Sequence, residues 1–204
     1  MFQATVRKWS GYALQPIAKA IASVGISANT LTIIGLIFGI GAGVCIALGR
    51  LKLAGVLILI GGSFDMIDGA VARASNKNTP FGALLDSVVD RYSEGIVFIG
   101  LAIYCSKSSM IDGLILTCLG LISSFLVSYV RARAEGLQIE CKVGLMQRPE
   151  RVILLAIAVL FRNFSIVNIS ILILVLWVMV IFSHITVIQR VFFALKQLPI
   201  VKAG

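Results

Sequence analysis

"SFDMIDGAVARASNKNTPFGALLDSVVD", Ser63 to Asp90, places four aspartates in a chain that is otherwise largely hydrocarbon. The 204 residues are 59% hydrophobic and 13% charged, with a mean hydropathy of +1.02. A soluble domain cannot hide that much apolar surface, so the composition predicts an all-α integral membrane protein. Carboxylates are costly in such a setting, and four of them within one short stretch ask for a ligand.

Outward from this stretch, the apolar runs set the architecture. A membrane-spanning helix needs roughly 20 apolar residues to cross about 30 Å of hydrocarbon. Six runs qualify: Thr30–Gly49, Leu51–Ala74, Phe81–Tyr104, Met110–Arg133, a short one at Pro149–Phe161, and Ile166–Ile188. Pro149 suits a first helical turn, and Glu150 beside it favours the positive end of the helix dipole. The length fits one membrane domain over 1–204, with a six-helix bundle at 30–192. Residues 1–22 read as an amphipathic juxtamembrane helix lying in the interface, with Trp9, Leu14, Ile17, Ala18 and Ile21 on one face and Arg7, Lys8 and Lys19 supplying charge. The first 28 residues lack an apolar core and a small-residue cleavage site, so no signal peptide is expected. Cys45, Cys105, Cys118 and Cys141 have no C-x-x-C spacing, which predicts neither disulfides nor a zinc site.

Lysine and arginine set the orientation. With six spans, thirteen of them fall on the side that carries the termini and the 2–3 and 4–5 loops. Only Arg50, Lys52, Lys107 and Arg162 fall on the other side. The first side is therefore expected to face the cytoplasm of a multi-pass cell-membrane protein. The net charge of +9 is mostly this bias, with attraction to anionic membrane lipids added, and does not call for nucleic acid.

Asp65 and Asp68 are three residues apart, and Asp86 and Asp90 four apart, so each pair shares one face of its helix. A short loop joins the two helices, which are expected to be antiparallel neighbours with all four carboxylates converging. A hard divalent cation relieves both the burial cost and the like-charge repulsion. All-oxygen ligation by Asp65, Asp68, Asp86 and Asp90 points to Mg²⁺ or Mn²⁺, and four carboxylates can bridge two ions about 4 Å apart. Gly69, Ala72 and Gly82 leave room beside the acids, and Arg73 adds a cation. Metal, arginine and a small-residue floor together suit a diphosphate.

The full pattern, Asp65-x2-Asp68-Gly69-x2-Ala72-Arg73-x8-Gly82-x3-Asp86-x3-Asp90, resembles the signature of the CDP-alcohol phosphotransferase family without a departure. The six-span plan and the amphipathic N-terminus are also similar to that family, so the likeness covers nearly the whole chain. "ISANTLT" resembles the family's approach to the first span at Asn29 and Thr32, with Ala28 where a proline is usual. The resemblance implies transfer of a phosphatidyl-type group from a CDP-linked lipid to an alcohol, with release of CMP. It implies that Asp65, Asp68 and Asp86 are the main metal ligands, and that Asp90 helps hold the metal and is the general base. Asn29, Thr32, Asp68, Gly69, Ala72, Arg73 and Gly82 would bind the CDP-lipid. A homodimer is implied as well.

The acceptor is read from Ser128 to Arg151, which holds four arginines and one lysine. The short fifth span places its basic end near membrane depth beside the acids. Arg131, Arg133 and Arg151 occupy helix ends, where paired guanidinium bonds to a phosphate are favoured. For Lys142, positive-inside bias is the preferred reading. "SYVRARAEG" with "VGLMQRPER" resembles the subfamily that makes phosphatidylinositol phosphate and its archaeal ether-lipid counterpart. There the acceptor is inositol 1-phosphate, and Ser128, Arg131, Arg133, Arg151 and Arg190 match its acceptor-phosphate residues. Position 131 is often lysine in that subfamily.

Glu94 is expected to pair with Arg91 or to serve another structural role, and His184 is given none. Glycerol 3-phosphate is the runner-up acceptor. A divalent-cation transporter is the alternative class. It predicts acids on several spans and an internal repeat, whereas five of the nine acids fall between Asp65 and Glu94.

Overall fold

The computed structural model describes residues 15–75, 79–162, 164–166 and 169–198. Helix α1 covers 15–23, and six longer or apolar helices follow. They are α2 (Ala28–Ala47), α3 (Leu51–Ala74), α4 (Pro80–Lys107), α5 (Ile111–Gly136), α6 (Arg148–Leu160) and α7 (Ile171–Gln197). The six expected spans match α2 to α7 to within a few residues at most ends. The last one starts five residues late, because Ser165–Ile166 (β1) and Ile169–Ser170 (β2) form a small antiparallel bridge. Ser170 then caps α7 by accepting from the Ile173 amide at 3.3 Å.

Local sequence sets the other boundaries. Ser27 caps α2, accepting from the Thr30 amide at 3.1 Å, so Ala28 in place of proline leaves the helix start intact. Gly49 closes the α2–α3 turn at φ +76°, a backbone state that few other residues adopt cheaply. Thr79 caps α4 by accepting from the Gly82 amide at 3.0 Å, with Pro80 in its first turn. Gln147 starts α6, where Glu150 reaches back to its amide at 3.2 Å.

The principal helix contacts close a ring: α2 packs on α3, α3 on α6, α6 on α7, α7 on α5, α5 on α4, and α4 on α2. Here one expectation is corrected. α3 and α4 are not packed neighbours; each packs on α2, and the space between them is a cleft walled by Gly35, Gly39, Gly61 and Gly62. Carboxylates on facing helices disfavour direct packing, while the glycines let the backbones frame a cavity.

The main core lies at the end of the ring away from the aspartates, around Phe98, Leu101, Leu155, Leu176 and Met179. A Cβ on Gly43 would meet the Ile96 carbonyl at 2.6 Å, so α2 and α4 touch there backbone to backbone. Large apolar side chains such as Ile37, Ile99, Ile122 and Trp177 point outward. Such outward faces suit lipid rather than water. Among the described residues, four helices, α2, α3, α5 and α7, are long and apolar enough to cross a membrane. α4 carries its acids along one face and α6 has 13 residues. Of the N-terminal amphipathic face, Trp9 and Leu14 lie outside the described residues. Ala18 and Ile21 pack against Leu31, Ala70 and Val71 of α2 and α3.

Candidate active site

The two aspartate pairs meet across the cleft from different helices. Asp65 and Asp68 sit in the second half of α3, and Asp86 and Asp90 in the first half of α4. One oxygen from each of Asp65, Asp68 and Asp86 lies within 4.8 Å of the others. Three like-charged oxygens so close repel unless a cation sits among them. Asp86 Oδ1 is buried without a hydrogen-bond partner, which leaves it open to a ligand. The trio offers only carboxylate oxygens as ligands, so the residues fit a hard divalent ion such as Mg²⁺ or Mn²⁺.

Thr32 shapes the trio from α2. Its hydroxyl donates to Asp68 Oδ2 at 2.7 Å and lies 3.1 Å from the Ala28 carbonyl. Asp68 is thereby fixed in one rotamer.

The fourth carboxylate is held differently. Arg148, the first residue of α6, donates through Nη1 to Asp65 Oδ2 at 2.6 Å and through Nη2 to Asp90 Oδ1 at 2.7 Å. Arg91 stands 3.9 Å from Asp90 and spends its Nη1 on the Ser87 carbonyl. Three residues along α6, Arg151 makes a two-bond fork to Glu94, Nε to Oε1 at 2.7 Å and Nη2 to Oε2 at 3.0 Å. The expected Glu94–Arg91 pair is therefore replaced by Glu94–Arg151. Composition does point to Arg148, since it shares a helix face with Arg151 at i, i+3 and precedes Pro149. Its bridging role, however, depends on where α6 packs.

Of the residues expected to leave room for a diphosphate, Gly69 lies beside the Arg73 guanidinium: an added Cβ would meet Nη1 at 3.4 Å. A Cβ on Gly82 would meet Thr79 Oγ1 at 3.0 Å and Asn29 Oδ1 at 3.2 Å, which sets Asn29 and Gly82 side by side. Arg73 is exposed and Ala72 half-buried.

The acceptor candidates have more varied settings. Arg190 is buried and donates to the Val143 carbonyl at 2.9 Å and the Val127 carbonyl at 2.5 Å. It ties the 137–147 loop to α5 and α7. Arg131 pairs with Glu135 at 2.8 Å, one turn along the same helix. Arg133 is exposed and Ser128 half-buried. Lys142 pairs with the exposed Glu140 in the loop and holds that carboxyl below its usual range.

Known proteins resemble the chain in sequence and in fold. The archaetidylinositol phosphate synthase of Pyrococcus horikoshii is 39% identical over 189 residues, covering 91% of this chain and 92% of that protein. The crystal structure of Mycobacterium tuberculosis phosphatidylinositol phosphate synthase with CDP-DAG bound superposes with a TM-score of 0.80 at 29% identity, covering 94% of this chain and 98% of that one. The same enzyme in complex with manganese and citrate gives a TM-score of 0.81 at 29% identity, over 94% of this chain and 93% of that one. The model of the CDP-alcohol phosphatidyltransferase family matches residues 25–189, aspartate signature included, and the chain belongs to that family.

Proposed function

We propose that the protein transfers a phosphatidyl-type group from a CDP-linked lipid to the hydroxyl of inositol 1-phosphate and releases CMP. The observation that carries this reading is the trio Asp65, Asp68 and Asp86, closed to within 4.8 Å beside a buried Asp90. The inositol phosphate acceptor is supported by the names of the relatives, archaetidylinositol and phosphatidylinositol phosphate synthases.

A divalent cation held by the trio, Mg²⁺ or Mn²⁺, supplies positive charge to the diphosphate oxygens. Thr32 keeps Asp68 turned toward that charge. Gly69, Ala72 and Gly82 leave the diphosphate room, with Arg73 and Asn29 at its edges. Asp90 accepts the proton of the acceptor hydroxyl as its oxygen bonds to the lipid-side phosphorus and the bond to the CMP oxygen breaks. Ser128, Arg131, Arg133, Arg151 and Arg190 take the acceptor's phosphate. Arg151 is held by Glu94 through Nε and Nη2, while its Nη1 has no partner and is the group it offers.

The setting belongs to the same proposal. All of α2 to α7 cross the membrane as one domain over 1–204. The amphipathic N-terminus lies in the interface, the acids face the cytoplasm, and the protein is a homodimer. α4 crosses because it runs 28 residues between α2 and α5, two helices apolar enough to span.

An acceptor panel tests the reading: CMP release from one CDP-lipid with inositol 1-phosphate, glycerol 3-phosphate or free inositol. Inositol 1-phosphate should be used far faster than the others, because free inositol leaves the arginines unpaired in a semi-dry cavity. A preference for glycerol 3-phosphate would overturn the acceptor while leaving the reaction type intact.

A further inference from the structure

Thr186 of α7 is fully buried and fastens the 137–147 loop to that helix from two sides. Its hydroxyl donates to the Phe182 carbonyl at 2.8 Å, within its own helix, and accepts from the Met146 amide at 2.9 Å. Its methyl lies against the loop backbone at Gly144, where an added Cβ would come within 2.4 Å of Thr186 Cγ2. Gly144 also holds φ +132°, a backbone state that side chains strain to adopt. A glycine and a threonine thus bring loop and helix into register at 144, 146 and 186.

Met146 stands one residue before Gln147, the N-cap of α6. The Gln147 carbonyl accepts from the Arg151 amide at 3.2 Å, so the first turn of α6 begins where Met146 is seated. The capping box at Gln147 and Glu150 shapes that turn but does not set its height against α7. On α7, Arg190 lies one turn beyond Thr186 on the same face. Arg151 and Arg190 are both buried and come from different helices, and a phosphate paired with both needs their separation held. We infer that Thr186 and Gly144 form a latch that fixes the spacing of Arg151 and Arg190, and with it the affinity for the acceptor's phosphate. Thr186 is a positioning residue: its hydroxyl is spent on the loop and on its own helix. This rests on the reading that a phosphorylated acceptor is held by these arginines.

The test measures kcat and KM by CMP release, with inositol 1-phosphate and free inositol as acceptors. Thr186→Val keeps the shape and the methyl but leaves the Met146 amide without its acceptor. It should raise the KM for inositol 1-phosphate roughly tenfold, the worth of one misaligned charge-assisted bond. The kcat and the CDP-lipid KM should stay within about twofold of wild type on the same grounds. Use of free inositol, which has no phosphate for the arginines, should hardly change, so the preference for the phosphorylated acceptor falls by the same factor. Thr186→Ser, which keeps the hydroxyl, should restore the wild-type constants. Gly144→Ala pushes the loop from the other side and should act as the valine does; it carries the test if Thr186→Val does not fold.

A loss shared by both acceptors and the CDP-lipid, or a serine variant no better than the valine one, would make Thr186 a packing residue and overturn the latch. The reading beneath is judged on wild type alone. If wild type prefers inositol 1-phosphate and the variants keep its constants, the acceptor stands and the latch falls. If wild type uses free inositol as well as inositol 1-phosphate, both fall.

Discussion

Two arginines one turn apart on α6 do opposite jobs with the same chemistry. Arg151 is 1% exposed and forks onto Glu94, itself 5% exposed, deep among α4 and α6. Arg148 forks across two aspartates from different helices, at a cleft edge where all three partners keep some exposure. A sealed ion pair cannot exchange partners without leaving an uncompensated charge in the interior, so its two bonds stay fixed and Arg151 has only Nη1 left to offer. An open fork can exchange, because water, metal or substrate oxygens can replace either bond. Burial, rather than residue type, decides which fork is fixed and which can open.

The sharpest way to break this comparison is to remove a carboxylate from the open fork. Asp90→Asn should lower the rate of CMP release by about 10²–10⁴-fold, the usual worth of a general base. Mn²⁺ and CDP-lipid binding should persist. Equal loss of binding and turnover would make Asp90 a plain ligand.

Next comes stability. Arg151→Ala strands Glu94 in the core and should cost about 3–5 kcal/mol. Thermal melts in detergent should show this loss with or without Mn²⁺. Arg148→Ala should destabilise less, and Mn²⁺ should recover the loss, because a divalent ion can neutralise Asp65 where it cannot reach Glu94. Recovery of Arg151→Ala by Mn²⁺ would erase the distinction.

The third effect is confined to one substrate. Arg133→Ala should raise the KM for inositol 1-phosphate roughly ten- to a hundredfold, the worth of a charge-assisted phosphate bond. The CDP-lipid constant should hardly move, since the trio and Arg73 hold that substrate. A matching rise in both constants would reduce Arg133 to membrane attraction.

Smallest of all, Lys142→Ala should change either constant by no more than about twofold, because its partner Glu140 is exposed and solvent screens the pair. A change as large as that of Arg133→Ala would move Lys142 into the acceptor site.

Much of this site is legible in the sequence because its charges have nowhere to hide. Asp65, Asp68, Asp86 and Asp90 stand out against hydrocarbon, and their three- and four-residue spacings fix which faces they share. Pro149 marks the start of α6, and the hydroxyls of Ser27 and Thr79 mark the starts of α2 and α4. What depended on packing was not legible. The adjacency of α3 and α4 fails because α2 takes both contacts, a choice that helix periodicity does not encode. The start of α7 is misplaced because the sequence from Ile166 is apolar enough to begin a span, yet Ser165–Ile166 and Ile169–Ser170 pair as a two-stranded bridge. Arg148 and Arg151 are the same residue type on the same face, so only the depth of each site separates the open fork from the sealed one. Glu94 was seen to need a partner, but the partner came from a distant helix rather than from its neighbour Arg91.

The central claim is a metal-dependent transfer at the aspartates, and CMP release tests it most directly. Purified protein given a CDP-lipid, inositol 1-phosphate and Mg²⁺ or Mn²⁺ should release CMP as phosphorylated inositol lipid forms. EDTA should stop the release, and added metal should restore it. CMP release that continues unchanged in EDTA, or divalent-ion uptake into proteoliposomes with no CMP released, would contradict the account.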